Sequence, residues 1–266
     1  MTTASTAQQE VKKLTVQCAA FHAKQLELLR ATKRLIAANR ELESFRIPKI
    51  IHQTAHEKPW PECWEVCHAT WKKDYPTPEY SHKFWSDEDI ESLVSTEYPE
   101  LYATFKNAPR KIQKIDIARL LILHKYGGIY ADMDFESCRN MYLCLAQDKI
   151  NVVESPFVGN ERFHNSLLAS DPGRDFWYVA AKEAAARLQG PRCEDVIWST
   201  GPELIDEICR RRAKHVHPLA SSLFQPFSST RAFTEHRLSG VWWKTCKKED
   251  PRVMRPARPR PPLEEI

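Results

Sequence analysis

Apolar residues near the start of the chain recur at the spacing of a long helix. Residues 8–45 predict this helix, because a seven-residue repeat runs through Leu14, Phe21, Leu28, Leu35 and Leu42. The complementary heptad positions mix polar and apolar side chains, so the pattern favours a helix packed on its own domain, or a weak homodimer stem, over a stable coiled coil. Since Pro48 disfavours further helix, we expect residues 1–46 to form an N-terminal helical extension.

From residue 47 onward the pattern changes to short apolar runs that alternate with helical periodicity. The runs predict strands over 49–53, 79–85, 129–133 and 149–153. One predicted helix begins after a capping serine, Ser86. The other predicted helices cover 111–126, 175–188 and 202–214. Strands that alternate with helices are typical of an α/β domain with a mostly parallel sheet, and we expect this domain to occupy residues 47–245.

The composition narrows the class of protein. The chain of 266 residues has 42% hydrophobic and 28% charged residues, which is ordinary for a soluble globular protein. A net charge of +4 supplies no broad positive field, so we expect no nucleic-acid partner. Neither G-x-G-x-x-G nor G-x-x-x-x-G-K-[ST] occurs, which argues against dinucleotide and P-loop sites. Residues 246–266 are rich in proline and arginine and predict a disordered tail.

The sequence contains no evident membrane or export signal. No run approaches the roughly 18 apolar residues that span a bilayer. Residues 1–10 are polar, unlike a secretory signal. We therefore expect no transmembrane segment and a cytoplasmic location, with the Golgi lumen as the alternative if an upstream anchor is missing.

The sharpest candidate for chemistry is a strand that carries two aspartates and follows the Gly127-Gly128 pair. The glycines predict a left-handed break after the apolar helix over 111–126. Alternation along the strand places Asp132 and Asp134 on the same face as Tyr130. Neighbouring carboxylates raise each other's pKa unless a cation lies beside them. Mg²⁺ or Mn²⁺ suits such oxygen ligands and a diphosphate substrate.

An Asp-x-Asp motif by itself is a weak signal, and the sequence contains a second copy at Asp87 and Asp89. That copy directly follows Ser86, and acidic residues there are typical of a helix N-terminus. The copy at Asp132 and Asp134 ends a strand instead, at the edge where open α/β sheets bind ligands. Asp132 and Asp134 are therefore the better candidates for a site.

Two charged residues interrupt the apolar helix that precedes the glycine pair. Asp116 and Arg119 are three positions apart and share one face of that helix. Residue chemistry alone leaves two interpretations equally open. One is a structural buried ion pair, and the other is a pair directed at a polar ligand near Asp132.

The run from 114 to 134 resembles the DXD-containing sugar-binding region of family 32 glycosyltransferases. That family includes the initiating α-1,6-mannosyltransferases and the mannosyl-inositol-phosphoceramide synthase catalytic subunits. Further similarities follow in the same order along the chain. They are a first strand at 47–54, a segment at 165–177, the Thr200-Gly201-Pro202 helix start, and a closing element with His236, Gly240 and Trp242.

The resemblance implies a GT-A-like (Rossmann-like) fold and a metal-dependent retaining glycosyltransferase. Such an enzyme moves a hexose, here most simply mannose, from a GDP- or UDP-sugar donor to a glycan or glycolipid acceptor. The resemblance implies that Asp132, Asp134 and His236 bind Mn²⁺ or Mg²⁺. Asp116 and Arg119 would hold the transferred sugar and the diphosphate. The remaining residues of the implied donor site are His52, Gln53, Thr54, Tyr130, Asn165 and Gly201.

Two other functions stay open. An Asp-nucleophile phosphohydrolase also places Asp-x-Asp after a strand, but that class needs threonine or valine shortly after the second aspartate. This chain has Phe135 and Glu136 there, which argues against it. A non-catalytic nucleotide-sugar or glycan-binding module would retain the aspartates without turnover.

Overall fold

The computed structural model describes residues 46–55, 58–156, 161–225 and 232–237, together with Lys24, Glu27 and Arg30. The chain divides into two units, Met1–Phe45 and Arg46–Ile266. Those three isolated residues of the first unit are helical and exposed. The rest of the helix predicted over 8–45, its dimer stem and the tail predicted at 246–266 lie outside the described residues.

The described part of the second unit is an α/β domain with a six-stranded sheet. Its strands are β1 (Ile50–Thr54), β2 (Ser81–Trp85), β3 (Gly128–Ala131), β5 (Ile150–Glu154), β6 (Phe163–Ser170) and β7 (Val216–Leu219). Their spatial order is β2-β1-β3-β6-β5-β7, and β6 alone among these strands runs antiparallel to its neighbours. A separate antiparallel pair joins β4 (Phe135–Ser137) to β8 (Thr234–His236).

Helices flank the sheet. They are α1 (Glu62–Asp74), α2 (Asp87–Glu97), α3 (Pro99–Lys106), α4 (Lys111–Tyr126), α5 (Asp175–Arg187), α6 (Val196–Ser199), α7 (Pro202–Arg211) and α8 (Ser221–Phe224). Helix α4 lies in the core, because every residue from 116 to 123 is buried. Its apolar sequence leaves no wide polar face, so it fits only between other elements.

Several predicted elements are confirmed. Helix α4 has the bounds expected from its sequence, and the Ser86 hydroxyl caps α2 by accepting a hydrogen bond from the Asp89 amide at 3.1 Å. The Asp-x-Asp copy at Asp87 and Asp89 is thus part of a capping box, as its position after serine indicates. The mostly parallel α/β sheet is confirmed as well.

Other predictions are wrong. The strand expected over 129–133 ends at Ala131, because residues 132–134 turn and the Phe135 amide donates to the Asp132 carbonyl at 3.0 Å. Strand alternation therefore does not extend to Asp134. Strand β6 and helix α1 were not predicted. Helix α1 does carry a signal, since acidic residues occupy its first turn and lysines its last, as the helix dipole favours.

Candidate active site

The joint between α4 and β3 positions the motif. Gly127 ends α4 with φ of 62°, and Gly128 begins β3 with φ of 92°. A Cβ atom on Gly128 would lie 2.6 Å from the Ile50 carbonyl oxygen, and one on Gly127 would lie 2.7 Å from the Pro172 nitrogen. Both positions therefore require glycine. The tight joint lets the chain pass from α4 directly into a strand beside β1.

Arg119 is a buried cation that links α4 to the residues after β3. Its Nη1 lies 3.1 Å from a carboxylate oxygen of Asp132 and donates to the Asn165 carbonyl at 2.7 Å. Its Nη2 lies 3.1 Å from the Asp116 carboxylate. The guanidinium centre is 4.9 Å from the centre of the Tyr130 ring. Burial opposes the charge, but the surrounding carboxylates and phenol outweigh it and raise the pKa of Arg119, so it stays cationic.

Asp116 holds this cation in place. One of its oxygens accepts from the Asn165 side chain at 2.9 Å and contacts Arg119, and the other accepts from the Thr200 hydroxyl at 2.7 Å. Burial raises the pKa of Asp116 to about 6, against the opposing effect of Arg119 and the two hydrogen bonds. The Thr-Gly-Pro segment therefore contributes a threonine side chain, whereas Gly201 is the N-cap residue of α7.

A hydrogen-bond chain connects β1 to Asp132. The Tyr130 hydroxyl donates to the Asp132 carboxylate at 3.0 Å and lies 2.8 Å from the Thr54 hydroxyl. The Asp132 side chain keeps 27% of its surface exposed, so it faces open space between these partners. Burial raises the pKa of Asp132 despite Arg119, and the charge of Asp134 adds to the rise. Charge repulsion expected from the motif is thus present in the site.

The two-stranded sheet brings His236 to the motif. Strand β8 pairs with β4 so that His236 lies opposite Phe135, and the two rings stack with centroids 4.6 Å apart. The Nε2 atom of His236 is 3.2 Å from a carboxylate oxygen of Asp134. The Arg237 amide donates to the Asp134 carbonyl at 2.8 Å, which fixes the turn of the motif against β8.

Asp132, Asp134 and His236 suit a divalent ion that arrives with further oxygen ligands. Among the described residues, no group of three or more histidine, cysteine or acidic side chains is arranged to hold a metal by itself. Burial is the main cause of the raised pKa of Asp132, and a cation would stabilise its charged form and relieve the added repulsion by Asp134. Mg²⁺ commonly takes one or two carboxylates and completes its shell with substrate phosphates and water. The donor set therefore fits a metal bound together with a diphosphate.

The predicted residues of β1 have different surroundings. His52 is buried, donates from Nε2 to the Gly127 carbonyl at 2.9 Å and accepts at Nδ1 from the Trp85 indole at 3.1 Å. Both ring nitrogens thus brace the α4–β3 joint. The side-chain Oε1 of Gln53 accepts a hydrogen bond from His68 Nδ1 at 2.7 Å. The buried Nε2 of Gln53 has no hydrogen-bond partner among the described residues. Gln53 therefore retains an unsatisfied side-chain donor among the described residues.

The structure adds one residue that sequence reasoning missed. Gln225 follows α8, is 2% exposed, and its Nε2 lies 3.0 Å from Nδ1 of His236. No motif marks it in the sequence, because a glutamine after a short helix is not distinctive. Its position beside the motif depends entirely on the pairing of β4 with β8.

Comparisons with known proteins show which sequences resemble this chain. Residues 61–155 match the glycosyltransferase sugar-binding region containing a DXD motif. Inositol phosphoceramide mannosyltransferase 3 of Schizosaccharomyces pombe is 37% identical over 209 residues, which are 75% of this chain and 57% of that protein. Mannosyl phosphorylinositol ceramide synthase SUR1 of Saccharomyces cerevisiae is 33% identical over 136 residues, covering 51% of this chain and 34% of that protein. The chain thus spans only part of the length of these relatives.

A solved structure supports the fold. The PaToxG glycosyltransferase matches with a TM-score of 0.50 at 18% identity, over 68% of this chain and 78% of that chain. At this identity the likeness concerns the fold alone. It confirms the GT-A-like fold that the resemblance implied.

The cytoplasmic location expected from the polar start of the sequence is wrong. The relatives found are Golgi mannosyltransferases, which corresponds to the alternative location, the Golgi lumen. Within the part of the chain that the structure describes, no helix has both the length and the apolar character needed to cross a bilayer.

The family resemblance drawn from residues 114–134 is confirmed by both comparisons of sequence. The matched region contains α4, the glycine pair and both aspartates of the motif. Residues 61–155 of this chain are therefore similar to the glycosyltransferase sugar-binding region containing a DXD motif, the family that the run from 114 to 134 indicated.

Proposed function

We propose that this protein is a metal-dependent, retaining hexosyltransferase that moves mannose from a nucleotide-sugar to a glycolipid or glycan acceptor. The observation that carries the proposal is the buried Arg119 held between Asp116 and Asp132, beside the Asp134–His236 pair. The names of the relatives support mannose as the sugar and an inositol phosphoceramide as an acceptor of the right class.

The charges of the site suit departure of a nucleoside diphosphate. Breaking the bond between the anomeric carbon and the β-phosphate leaves negative charge on the phosphate oxygens. A divalent ion held by Asp134, His236 and Asp132 would supply Lewis-acid stabilisation of that charge. Arg119 stays cationic because three groups raise its pKa, and its buried location strengthens its field. Arg119 also orients Asp132, one of the residues proposed to hold the metal.

The same contacts favour attack by the acceptor on the face that the phosphate leaves. A retaining double displacement needs a carboxylate with an available oxygen. Asp116 is buried and occupied by Arg119, Thr200 and Asn165. Asp132 contacts Arg119 and Tyr130, and its exposed part is assigned to the metal. Neither suits a nucleophile, so we infer that the acceptor hydroxyl attacks directly and passes its proton to the leaving phosphate. The same pairing of Asp132 argues against an Asp-nucleophile phosphohydrolase.

The donor assignment and the catalytic role are tested together by mass spectrometry. The protein is incubated with Mn²⁺, GDP-mannose or UDP-hexoses, and inositol phosphoceramide. We expect mannosylated lipid, and we expect Asp134→Asn to lower turnover by about 100-fold or more, the effect of removing one electrostatic contact in an active site. Asp87→Asn is the matched control, because Asp87 belongs to the other Asp-x-Asp copy and is exposed.

Each other outcome identifies an alternative. Normal turnover by Asp134→Asn with Mn²⁺ present would contradict the role of the motif. Metal-dependent binding of a donor with no product from any acceptor class would favour the binding module. Release of free phosphate without sugar transfer would favour a phosphohydrolase.

A further inference from the structure

Asp134 and Gln225 each contact one of the two ring nitrogens of His236. The ring stacks on Phe135 at an interplanar angle of 25°, so one face of the ring is covered and its polar contacts lie at the ring edge. On one edge Nε2 is 3.2 Å from Asp134, and on the other Nδ1 is 3.0 Å from Nε2 of Gln225. These two contacts therefore decide which ring nitrogen of His236 carries the proton.

The amide of Gln225 is satisfied at only one end. In the orientation described, Nε2 donates to Nδ1 of His236, while Oε1 is buried with no hydrogen-bond partner among the described residues. A buried acceptor without a donor is unfavourable. A half-turn of the terminal amide exchanges its oxygen and nitrogen at nearly the same shape. The turned amide would place Oε1 against Nδ1, where it would accept a hydrogen bond from Nδ1–H.

Two elements hold Gln225 in position for this contact. The backbone amide of Gln225 donates to the Ser221 carbonyl at 2.9 Å, which ties this residue to α8. The Thr234 hydroxyl donates to the Phe224 carbonyl, which ties α8 to β8. The backbones that carry Gln225 and His236 are thus linked, and the rotation of the terminal amide is the smallest change that exchanges donor for acceptor.

We propose that Gln225 is a positioning residue that selects the proton-bearing nitrogen of His236 according to whether a divalent metal is bound. Without the metal, Gln225 donates to Nδ1 and His236 donates from Nε2 to Asp134. With the metal, the turned amide accepts from Nδ1–H and leaves the Nε2 lone pair to the ion. Metal-bound imidazoles characteristically donate their other N–H to a carbonyl or carboxylate, which fixes the tautomer. This inference rests on the metal site of the proposed function.

The tautomer of His236 in the wild-type protein is the direct test. NMR of ¹⁵N-histidine-labelled protein, with His236→Ala for assignment, distinguishes protonated from unprotonated ring nitrogens. We expect the proton on Nε2 in the metal-free protein and on Nδ1 after addition of Mg²⁺ with GDP or UDP. The same tautomer in both states would overturn the proposal.

Metal affinity supplies an independent readout. Binding of Mn²⁺, measured by electron paramagnetic resonance with GDP or UDP present, should weaken by about 10- to 100-fold in Gln225→Leu, as is typical when the partner of a ligating histidine is removed. Gln225→Glu presents an acceptor to Nδ1 and should retain the wild-type affinity or exceed it. Wild-type affinity in Gln225→Leu, or equal losses in both variants, would contradict the proposal.

Asp134→Asn separates this inference from the proposed function. If that variant binds Mn²⁺ as the wild type does, the metal site itself is wrong. If it loses the metal while Gln225→Leu does not, only the role of Gln225 is wrong. Unfolding temperatures of the metal-free variants show whether a loss reflects folding, and the wild-type NMR result decides the question if Gln225→Leu is unstable.

Discussion

His52 illustrates at the scale of a single residue how burial assigns a structural role to an ionisable group. The resemblance implied a place for it in the donor site. In the fold its two ring nitrogens instead join the Gly127 carbonyl to the Trp85 indole, at 2.9 and 3.1 Å. Burial is the largest influence on its charge and lowers the pKa of His52 from 6.5 to about 4. A neutral ring is therefore part of the α4–β3 joint.

This shift predicts a pH dependence of stability. The unfolded chain takes up a proton at His52 below its pKa of 6.5, whereas the folded protein does so only near pH 4. The free energy of unfolding should therefore fall as the pH decreases from 6.5, by about 3 kcal/mol when the folded-state pKa is reached. Urea unfolding across this range measures the change.

His52→Gln is the control, because glutamine can still donate to the Gly127 carbonyl but does not titrate. Its stability should depend less steeply on pH across the same interval. Identical slopes for the wild type and this variant would show that His52 does not keep a neutral ring in the fold.

At the scale of elements, the joint between α4 and β3 aligns the charged groups of the site. Helix α4 carries Arg119 in its buried face, and β3 delivers Asp132 to it. The glycine pair makes this possible because both residues adopt positive φ and approach backbone atoms of other segments. Any side chain at Gly128 would push β3 away from β1, where the Ile50 carbonyl lies.

Gly128→Ala should therefore be strongly destabilising, by about 3 kcal/mol or more, since backbone strain at positive φ alone costs of order 1–3 kcal/mol. Thermal or urea unfolding measures the loss. The matched control is Gly173→Ala, where φ is 73° but a Cβ atom would meet nothing within 4 Å. Strain without a clash should make the control clearly milder, and equal losses would refute the close approach to Ile50.

At the scale of the whole molecule, the site is assembled from segments that are distant in the sequence. The hydrogen bond from Arg237 to Glu136 joins residues 101 positions apart, and that from Thr200 to Asp116 joins residues 84 apart. Binding of a ligand at such a site draws on several elements together. A ligand that binds only the folded protein raises the free energy of unfolding according to its concentration.

Mn²⁺ together with the correct nucleoside diphosphate should thus stabilise the whole domain by about 3 kcal/mol at a concentration 100 times the dissociation constant. Differential scanning fluorimetry with GDP and UDP should show a rise in unfolding temperature that a chelator reverses. The rise should be absent from Asp134→Asn and present in Asp87→Asn. Equal rises in both variants would contradict binding at the motif.

The sequence by itself determined the features that depend on neighbouring residues. The bounds of α4, the Ser86 cap, the glycine break and the α/β alternation follow from propensity, capping and side-chain period, which act over a few positions. The motif was recognisable for the same reason. These local signals predicted the α/β class and drew attention to Asp116, Arg119, Asp132 and Asp134, whereas the family resemblance supplied most of the other candidate site residues.

The tertiary structure decided which of those residues meet. It placed β6 antiparallel between β3 and β5 and ended β3 before the aspartates. It also placed His52 in contact with the Gly127 carbonyl at the α4–β3 joint. It also brought Gln225 to His236, a contact that no motif announces. The physical reason is that burial and hydrogen-bond partners arise from packing between segments far apart in the chain, whereas sequence patterns report only the preferences of each segment alone.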